Sequence, residues 1–266
     1  MNPKILIITG YGLNCEAESS HAWTLAGAAP ELVHLNDLIE RPTRLHDYAG
    51  LMFIGGFSYG DHMGSGLAFG ARVRHHMQAD LAKFIADGKL ILGVCNGFQI
   101  MTKLGLLPGL DNNYFTQSVA LMHNDCGAFQ NFWVTLRFEE QSPCVFTRGL
   151  GPMPLPIRHG EGKVFTLDHA LLDRMERLGC VPCRYADPAT GAATDKFPLN
   201  PNGSLNAIAG LCDPTGRVFG LMPHPEAYLF PENHPQWDLQ KLRGELPSQG
   251  AGLKIFQNAV QFLKLT

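Results

Sequence analysis

The chain has 266 residues, of which 45% are hydrophobic and 17% are charged, and its formal net charge is −3. This length and apolar content can supply one full α/β core, and the lack of a basic stripe excludes nucleic acid and anionic membranes as partners. The seven cysteines are odd in number and irregularly spaced, so they argue against a disulfide framework and indicate a reducing compartment. We therefore expect a single domain over 1–266 that stays in the cytoplasm.

Strands and helices alternate through the first part of the chain. An apolar run at 5–8 leads directly into a glycine-containing loop, which is typical of a first β-strand and not of a signal peptide. The predicted elements are strand 4–9, helix 15–27, strand 31–35, helix or loop 36–47, strand 50–54, helix 66–87, strand 90–94 and helix 97–106. This alternation predicts a three-layer α/β/α sandwich with a mostly parallel central sheet, which binds ligands at the carboxyl ends of its strands.

The third predicted strand ends at a pair of glycines, Gly55 and Gly56, followed by Phe57 and several small residues. A loop of this composition can present backbone amides to a neighbouring site, because glycine lets the backbone approach other groups closely. A Gly-Gly pair after a strand is also common in ordinary loops, so this feature alone does not define a site.

The fourth predicted strand runs into the sequence Gly93-Val-Cys95-Asn96-Gly97, and a helix follows at once. This pattern is typical of a nucleophile elbow, a turn too tight for side chains at the two glycines. Cys95 would then lie above the sheet edge, near the positive end of the helix, which favours a thiolate. The amide of Asn96 and an amide near Phe57, in the Gly55–Phe57 loop, would form an oxyanion hole for acyl transfer. The alternative is an inert, buried cysteine at the end of a core strand.

Shorter strands follow the elbow helix. The predicted elements are strands 115–122, 130–138, 155–158, 163–166, 181–187, 205–212 and 217–222, and helix 250–264. The sequence Asp-Pro-Thr-Gly at 213–216 predicts a turn that joins the last two strands into an antiparallel hairpin. Cys180 and Cys183 form a Cys-x-x-Cys motif without a second ligand pair at metal spacing, so we assign them to a strand and predict no metal site.

A base for Cys95 is present in the segment His224-Pro-Glu226, which also follows an apolar run. In an extended or turning segment, side chains two residues apart leave on the same side. Glu226 can therefore orient the His224 imidazole while the other ring nitrogen faces the thiol. The prolines on either side of His224 restrict the backbone and favour a fixed arrangement. The alternative is a surface turn with a solvated histidine and carboxylate.

Together these motifs resemble the class I (triad) glutamine amidotransferases, in which a Gly-x-Cys-x-Gly-x-Gln elbow pairs with a distal His-Pro-Glu. Within that family the similarity extends to the glutaminase of phosphoribosylformylglycinamidine synthase, over about residues 4–262. The motifs that carry it are Gly-Gly-Phe-Ser-Tyr-Gly-Asp at 55–61, Gly-Val-Cys-Asn-Gly-Phe-Gln at 93–99, His-Gly-Glu-Gly at 159–162 and Asn-Pro-Asn-Gly-Ser at 200–204. The resemblance implies a flavodoxin-like class I glutaminase fold.

The resemblance also implies that Cys95, His224 and Glu226 are the catalytic triad, and that Gln99 and the amides at 55–57 contact bound L-glutamine. The chain would hydrolyse glutamine to glutamate and ammonia through a cysteine thioester. It would deliver the ammonia to the synthetase subunit of phosphoribosylformylglycinamidine synthase, with or without a small accessory subunit, for purine biosynthesis. The sequence has no Walker-type phosphate loop, so we expect ATP and Mg²⁺ on the synthetase and no cofactor on this chain.

Three positions depart from the family pattern. Ala128 and Phe132 lie in a segment where the family usually has an Arg-Phe pair and a further basic residue, and Ala227 stands where arginine commonly follows His-Pro-Glu. These departures concern the rim of the glutamine pocket or the partner-facing surface. The alternatives are a different enzyme on the same elbow, such as the glutaminase of another amidotransferase or a γ-glutamyl hydrolase, and a non-catalytic pseudo-glutaminase that regulates a partner, which the altered segment at Ala128–Phe132 keeps open.

His159, in the His-Gly-Glu-Gly motif, has two interpretations. It could turn toward the site as a second base, or it could shape a tight turn beside the glutamine pocket. We favour turn or pocket support, because a Cys-His-Glu triad already accounts for the proton transfers that glutamine hydrolysis needs.

Overall fold

The computed structural model describes residues 2–166 and 168–265. Its strands are β1 (Lys4–Thr9), β2 (Ala29–His34), β3 (Gly50–Phe53), β4 (Leu90–Val94), β5 (Ala120–His123), β6 (Gln130–Phe138), β7 (Met153–His159), β8 (Glu161–Phe165), β9 (Cys183–Ala186), β10 (Ile208–Cys212) and β11 (Val218–Leu221). Its α-helices are α1 (Glu16–Leu25), α2 (Leu35–Glu40), α3 (Leu67–Ala86), α4 (Asn96–Leu104), α5 (His169–Arg177), α6 (Trp237–Leu242) and α7 (Leu253–Leu265). Short 3₁₀ turns lie in the connections.

One nine-stranded sheet organises the described residues, in the order β2-β1-β3-β4-β11-β10-β9-β6-β7, and β5 pairs with β8 separately. The five strands from β2 to β11 in this order run parallel. The remaining four continue the sheet in antiparallel fashion, and β10 and β11 form the predicted hairpin. The predicted α/β architecture is confirmed.

Helices cover the sheet in two groups. Helix α1 packs against β1 and α7, whereas α3 packs against α4, which lies over β3 and β4. Strands β3, β4 and β11 are buried along their whole length. Burial of both faces is the physical reason why these strands read as continuous apolar runs and not as alternating patterns.

The register of the parallel strands places the candidate site. Val94, the last residue of β4, lies opposite Leu221, the last residue of β11. The chain leaves both strands at the same edge of the sheet, so Cys95 and the segment containing His224 meet there. Strand β3 ends at this edge too, since Phe53 pairs with Gly93, and it delivers the glycine pair to the same place.

The structure also differs from the prediction in places. Helices α5 and α6 were not predicted, although Asp168 caps α5 by accepting a hydrogen bond from the Leu171 amide. The predicted strand 115–122 starts only at Ala120, because Phe115 has a φ of 67°, which a strand cannot accommodate. None of the helices in the described part of the chain has the length and apolar content that a membrane crossing requires.

Candidate active site

Cys95 is the strained residue at the junction of β4 and α4. Its φ is 52° and its ψ is −108°, a region of backbone space that non-glycine residues rarely adopt outside functional turns. Its amide donates a hydrogen bond of 2.9 Å to the Leu221 carbonyl of the neighbouring strand. The surrounding sheet and helix thus hold the nucleophile elbow that the sequence predicted.

The two glycines of the elbow are required by close packing. A Cβ atom on Gly97 would lie 1.9 Å from the Phe53 carbonyl oxygen, and one on Gly93 would lie 2.3 Å from the Met101 sulfur and 2.9 Å from the Gly97 backbone. The elbow can therefore approach β3 and α4 only without these side chains, which explains the Gly-x-Cys-x-Gly pattern.

We expect Gly97→Ala to lower the free energy of unfolding by at least about 3 kcal/mol, the upper end of the cost of overpacking a core. The added methyl group would meet the β3 backbone, which cannot move aside as a flexible side chain can. Urea unfolding of the variant measures the effect. Gly151→Ala is the matched control, because a Cβ there meets nothing within 4 Å; equal stability of the two variants would contradict the prediction.

His224 and Glu226 form a buried pair next to the elbow. Nδ1 of His224 lies 2.5 Å from Oε1 of Glu226, and each residue is only 2% exposed. The His224 amide donates to the Pro156 carbonyl at 2.9 Å, which fixes the backbone. Burial disfavours the imidazolium, but the Glu226 carboxylate and the Cys95 sulfur outweigh burial and hold the pKa of His224 well above its usual range.

The other side of the imidazole is near two sulfur atoms. Both Cys95 and Cys15 interact with His224 closely enough to raise its pKa. Nε2 of His224 nevertheless has no hydrogen-bond partner among the described residues, and the Cys95 thiol donates a weak bond to the Arg158 carbonyl at 3.5 Å. The imidazole nitrogen opposite Glu226 is therefore free to exchange a proton with a reacting group.

Cys15, at the start of α1, is the residue that sequence reasoning missed. Its burial raises the pKa of its thiol, and its sulfur would lie 3.0 Å from a Cβ on Gly55, which would also lie 2.9 Å from Cε1 of His224. Gly55 thus makes room for Cys15 and His224 together. The available signal was the Asn-Cys-Glu sequence directly after the loop of β1, since that loop ends at the same sheet edge as the elbow.

The structure distinguishes between the backbone amides near Phe57 that were predicted as oxyanion donors. The Phe57 amide donates to the Gly12 carbonyl at 2.8 Å, so it already has an acceptor within the fold. None of the described hydrogen bonds uses the amide of Gly56, which adopts a φ of 140° beside the residue 12–14 loop. The amides of Gly56 and Asn96 are therefore the pair that can face an oxyanion.

A cavity of about 340 Å³ opens in front of Cys95. Gln99 lines it and is held in place, because its Nε2 donates to the Glu161 carbonyl at 2.6 Å and its Oε1 accepts from the Asn96 side chain at 2.8 Å. Two carboxylates, Asp61 and Glu161, also line the cavity, and burial raises the pKa of Asp61. The cavity is large enough for an amino-acid substrate and carries acceptors for its ammonium group.

His159 lies beside this cavity, where it supports the wall. Asn124 uses its amide nitrogen to donate to the carbonyls of Ala128 and His159, at 3.0 and 2.9 Å. Its oxygen therefore accepts from Nδ1 of His159 across 3.2 Å. Burial, reinforced by the charge of His224, lowers the pKa of His159 to about 3, so the ring is neutral near pH 7. This arrangement favours the predicted supporting role over a second base.

We expect the buried neutral His159 to make stability fall on acidification. The unfolded histidine titrates near its ordinary value of about 6.5 and the folded one at about 3, so the unfolded state binds more protons between these values. The free energy of unfolding should drop by about 2 kcal/mol from pH 7 to pH 5 because of this residue. Urea unfolding at both pH values should show that drop removed in His159→Gln and retained in His76→Gln, an exposed control. An unchanged drop in His159→Gln would contradict the assignment.

The departures from the family pattern lie at the edges of the site. Ala128 lines the main cavity, whereas Phe132 lies in β6 and lines a separate groove. Ala227 ends the 3₁₀ turn that contains Glu226. Cys180 and Cys183 are buried free thiols, and only Cys183 belongs to a strand, because β9 begins there.

Comparisons with known proteins agree with this geometry. A family model for the CobB/CobQ-like glutamine amidotransferase domain matches residues 2–263. Phosphoribosylformylglycinamidine synthase subunit PurQ from Methanococcus maripaludis is 43% identical, with 98% of this chain and 97% of that protein covered. The protein of the same name from Dehalococcoides mccartyi is 39% identical, with 98% of each covered.

A similar solved structure is PurLQS from Thermotoga maritima, with a TM-score of 0.70 and 30% identity to one of its chains. The match covers 99% of this chain and 100% of that one. These matches thus extend over nearly the whole length of the chain. The chain belongs to the CobB/CobQ-like glutamine amidotransferase family, as its motifs indicated.

Proposed function

We propose that the chain is the glutaminase subunit of phosphoribosylformylglycinamidine synthase, acting in the cytoplasm as a single domain. It hydrolyses L-glutamine to glutamate and ammonia and supplies the ammonia to an ATP-dependent synthetase for purine biosynthesis. The observation that carries the proposal is the buried pair of His224 and Glu226, with Nδ1 and Oε1 2.5 Å apart, next to a cysteine at a nucleophile elbow. The relatives named above support the choice of synthase.

In the first step, the Cys95 sulfur attacks the side-chain carbonyl carbon of glutamine. Its proton has passed to Nε2 of His224 before the attack, because the Glu226 carboxylate stabilises the imidazolium and raises its pKa. The carbonyl oxygen becomes an oxyanion, to which the amides of Gly56 and Asn96 donate. Each such donor contributes on the order of 3 kcal/mol of transition-state stabilisation.

Collapse of the tetrahedral intermediate breaks the carbon–nitrogen bond. His224 gives its proton to the leaving nitrogen, so ammonia departs and a γ-glutamyl thioester remains on Cys95. The same imidazole then takes a proton from water, and the hydroxide attacks the thioester carbon. A second collapse breaks the carbon–sulfur bond, returns the proton to the sulfur and releases glutamate.

The cavity walls match the rest of the glutamine molecule. Glu161 and Asp61 offer two carboxylates to the α-ammonium group, and Ser65 lines the same wall. Gln99, fixed at both ends of its amide, closes the cavity beside the elbow. This pattern favours a free amino acid as substrate, because two carboxylates on the cavity wall can pair with its ammonium group.

A synthetase partner would dock over the cavity mouth. Phe57 and Phe129 both line the cavity, are 47% and 50% exposed and place their ring centroids 6.1 Å apart. An exposed aromatic pair at a site entrance is typical of a surface that another protein covers. The relatives are named as subunits of the synthase, which supports a partner chain. We propose that this partner binds ATP and Mg²⁺, with or without a small accessory subunit.

The test is glutamate release from glutamine by the chain alone, with the candidate synthetase, and with the synthetase plus its nucleotide substrates. We expect a low rate alone and a rise when the complete system is present. Full activity without any partner would instead indicate a free-standing glutaminase or a γ-glutamyl hydrolase. No release under any condition would indicate a regulatory pseudo-glutaminase and overturn the proposal.

A further inference from the structure

Cys15 completes a set of three metal-binding side chains with His224 and Glu226. One donor atom from each residue, a sulfur, a nitrogen and an oxygen, lies within 4.8 Å of the other two. Around a tetrahedral Zn²⁺ ion such donors stand roughly 3.5 Å apart, given metal–ligand distances of about 2.0–2.3 Å. Small side-chain movements would therefore bring the three donors onto one ion.

Two of the three residues have unsatisfied polar atoms in the interior. Nε2 of His224 and Oε2 of Glu226 have no hydrogen-bond partner among the described residues. Both side chains are at least nine-tenths buried, so water does not replace the missing partners. An unpaired buried polar atom is destabilising and is rare unless it serves a ligand or a reaction. Nδ1 of His224 faces Glu226 at 2.5 Å and Nε2 lies on the opposite edge of the ring, so an ion shared with Glu226 would take Nδ1 in place of its proton and would satisfy the unpaired Oε2.

The charges and the chemical types of the donors favour one class of ion. A thiolate, a carboxylate and a neutral imidazole together carry two negative charges, which balance a divalent cation in this buried place. Thiolate and imidazole ligands select Zn²⁺ and similar transition metals, whereas Mg²⁺ and Ca²⁺ prefer oxygen donors throughout. Three protein ligands also leave one coordination position open.

An entry path leads to this set. Cys15, His224 and Cys95 all line a smaller cavity of about 130 Å³ next to the elbow. An ion that enters this cavity meets Cys15 and His224 first; Glu226, hydrogen-bonded to His224, lies outside the lining, and water can fill the open coordination position. Occupation of the site would withdraw His224 from its role as proton carrier.

We propose that Cys15, His224 and Glu226 form a binding site for a divalent transition-metal ion of the Zn²⁺ class, and that binding blocks the glutaminase reaction. Binding replaces the proton on the Cys15 sulfur and the proton on the ligating nitrogen of His224 with bonds to the metal, and both protons go to solvent without any change of oxidation state. The inhibitory part of this inference rests on the proposed glutaminase function, whereas the binding part does not.

The binding test uses Zn²⁺ in equilibrium dialysis and Co²⁺ as a spectroscopic probe of thiolate coordination. We expect one ion per chain with a thiolate-to-cobalt absorption band. In Cys15→Ala the affinity for the metal should fall at least about tenfold, because mutating even a residue that only supports a metal ligand lowers metal affinity 10–100-fold. The thiolate-to-cobalt band should disappear. Cys126→Ala, which removes the exposed thiol, should bind as the wild type does.

Several results would contradict the proposed metal site. These are wild-type affinity in Cys15→Ala, no metal bound by the wild-type chain, or loss of the band in Cys126→Ala. Cys15→Ser provides a second variant if the alanine variant does not fold.

Inhibition is measured separately as glutamate release with and without Zn²⁺, each variant being compared with its own metal-free rate. We expect Zn²⁺ to inhibit the wild type and to lose at least about tenfold in potency against Cys15→Ala, in parallel with affinity. Equal potency against both would overturn the inhibitory role. If no variant releases glutamate without metal, the proposed function fails, while the dialysis result still decides the metal site.

Discussion

Replacing Cys95 with alanine should lower glutamine hydrolysis by at least about 10⁴-fold, because no other described group can form the thioester at that position. The elbow holds the sulfur at the mouth of a cavity beside a polarised imidazole, and alanine leaves only the binding and oxyanion contributions. Steady-state glutamate release in the complete system measures the loss. Mass spectrometry after exposure to an electrophilic glutamine analogue should show one adduct on the wild type and none on the variant.

The control for this change is Cys126→Ala, which removes an exposed thiol outside the cavity lining. It should react with the analogue and hydrolyse glutamine as the wild type does. Thermal unfolding of Cys95→Ala should show an intact fold, since removal of one small side chain leaves the sheet in place. Substantial turnover by a folded Cys95→Ala chain would exclude the cysteine mechanism.

The second large effect is expected from Glu226→Gln, which should reduce turnover by about 10³- to 10⁴-fold, as loss of the carboxylate does in other triads. Glutamine has no charge to stabilise the His224 imidazolium, and its amide can hold the ring in the wrong tautomer. Because the Glu226 charge helps to raise the pKa of His224, the alkaline limb of the pH–rate profile should also move to lower pH. Substrate affinity should change much less than turnover.

Glu232→Gln is the matched control, since this exposed carboxylate follows in the same segment without touching His224. Its rate and pH profile should be those of the wild type. Glu226→Asp should recover part of the lost activity, because it keeps the charge but shortens the reach to Nδ1. A Glu226→Gln profile with an unmoved alkaline limb would show that Glu226 has a structural role only.

The sequence was sufficient to predict the features that depend on neighbouring residues, such as the elbow turn and the buried strands. Glycines at positions 93 and 97 around a cysteine indicate a tight strand-to-helix turn, and the structure shows why no other residue fits. Apolar runs identified the central strands, because burial on both faces requires them. Helix α5 was missed, since its short amphipathic run follows directly on the strand β8 region and has only one cap signal in the sequence.

The residues of the site likewise divide into those that the sequence predicted and those that only the fold brings together. His224 and Glu226 were recognisable because two residues in one turn can interact whatever the rest of the fold does. Cys15 was not, although it lies in the same cluster, because its position depends on where the loop after β1 meets the elbow. The sequence did not distinguish Gly56 from Phe57 as an oxyanion donor, because the bond from the Phe57 amide to Gly12 depends on how the two loops pack.

The sequence by itself therefore determined the fold class, the elbow, the His-Pro-Glu pair and the family, because each depends on short-range geometry or on an apolar pattern. Only the tertiary structure decided that the Phe57 amide is bonded to Gly12 while the Gly56 amide is not bonded in this way, that His159 is a neutral wall residue, and that Cys15 lies beside His224 and Glu226. These properties depend on burial and on contacts between segments far apart in the chain. A linear sequence does not contain such distances, since the packing of the sheet and its loops sets them.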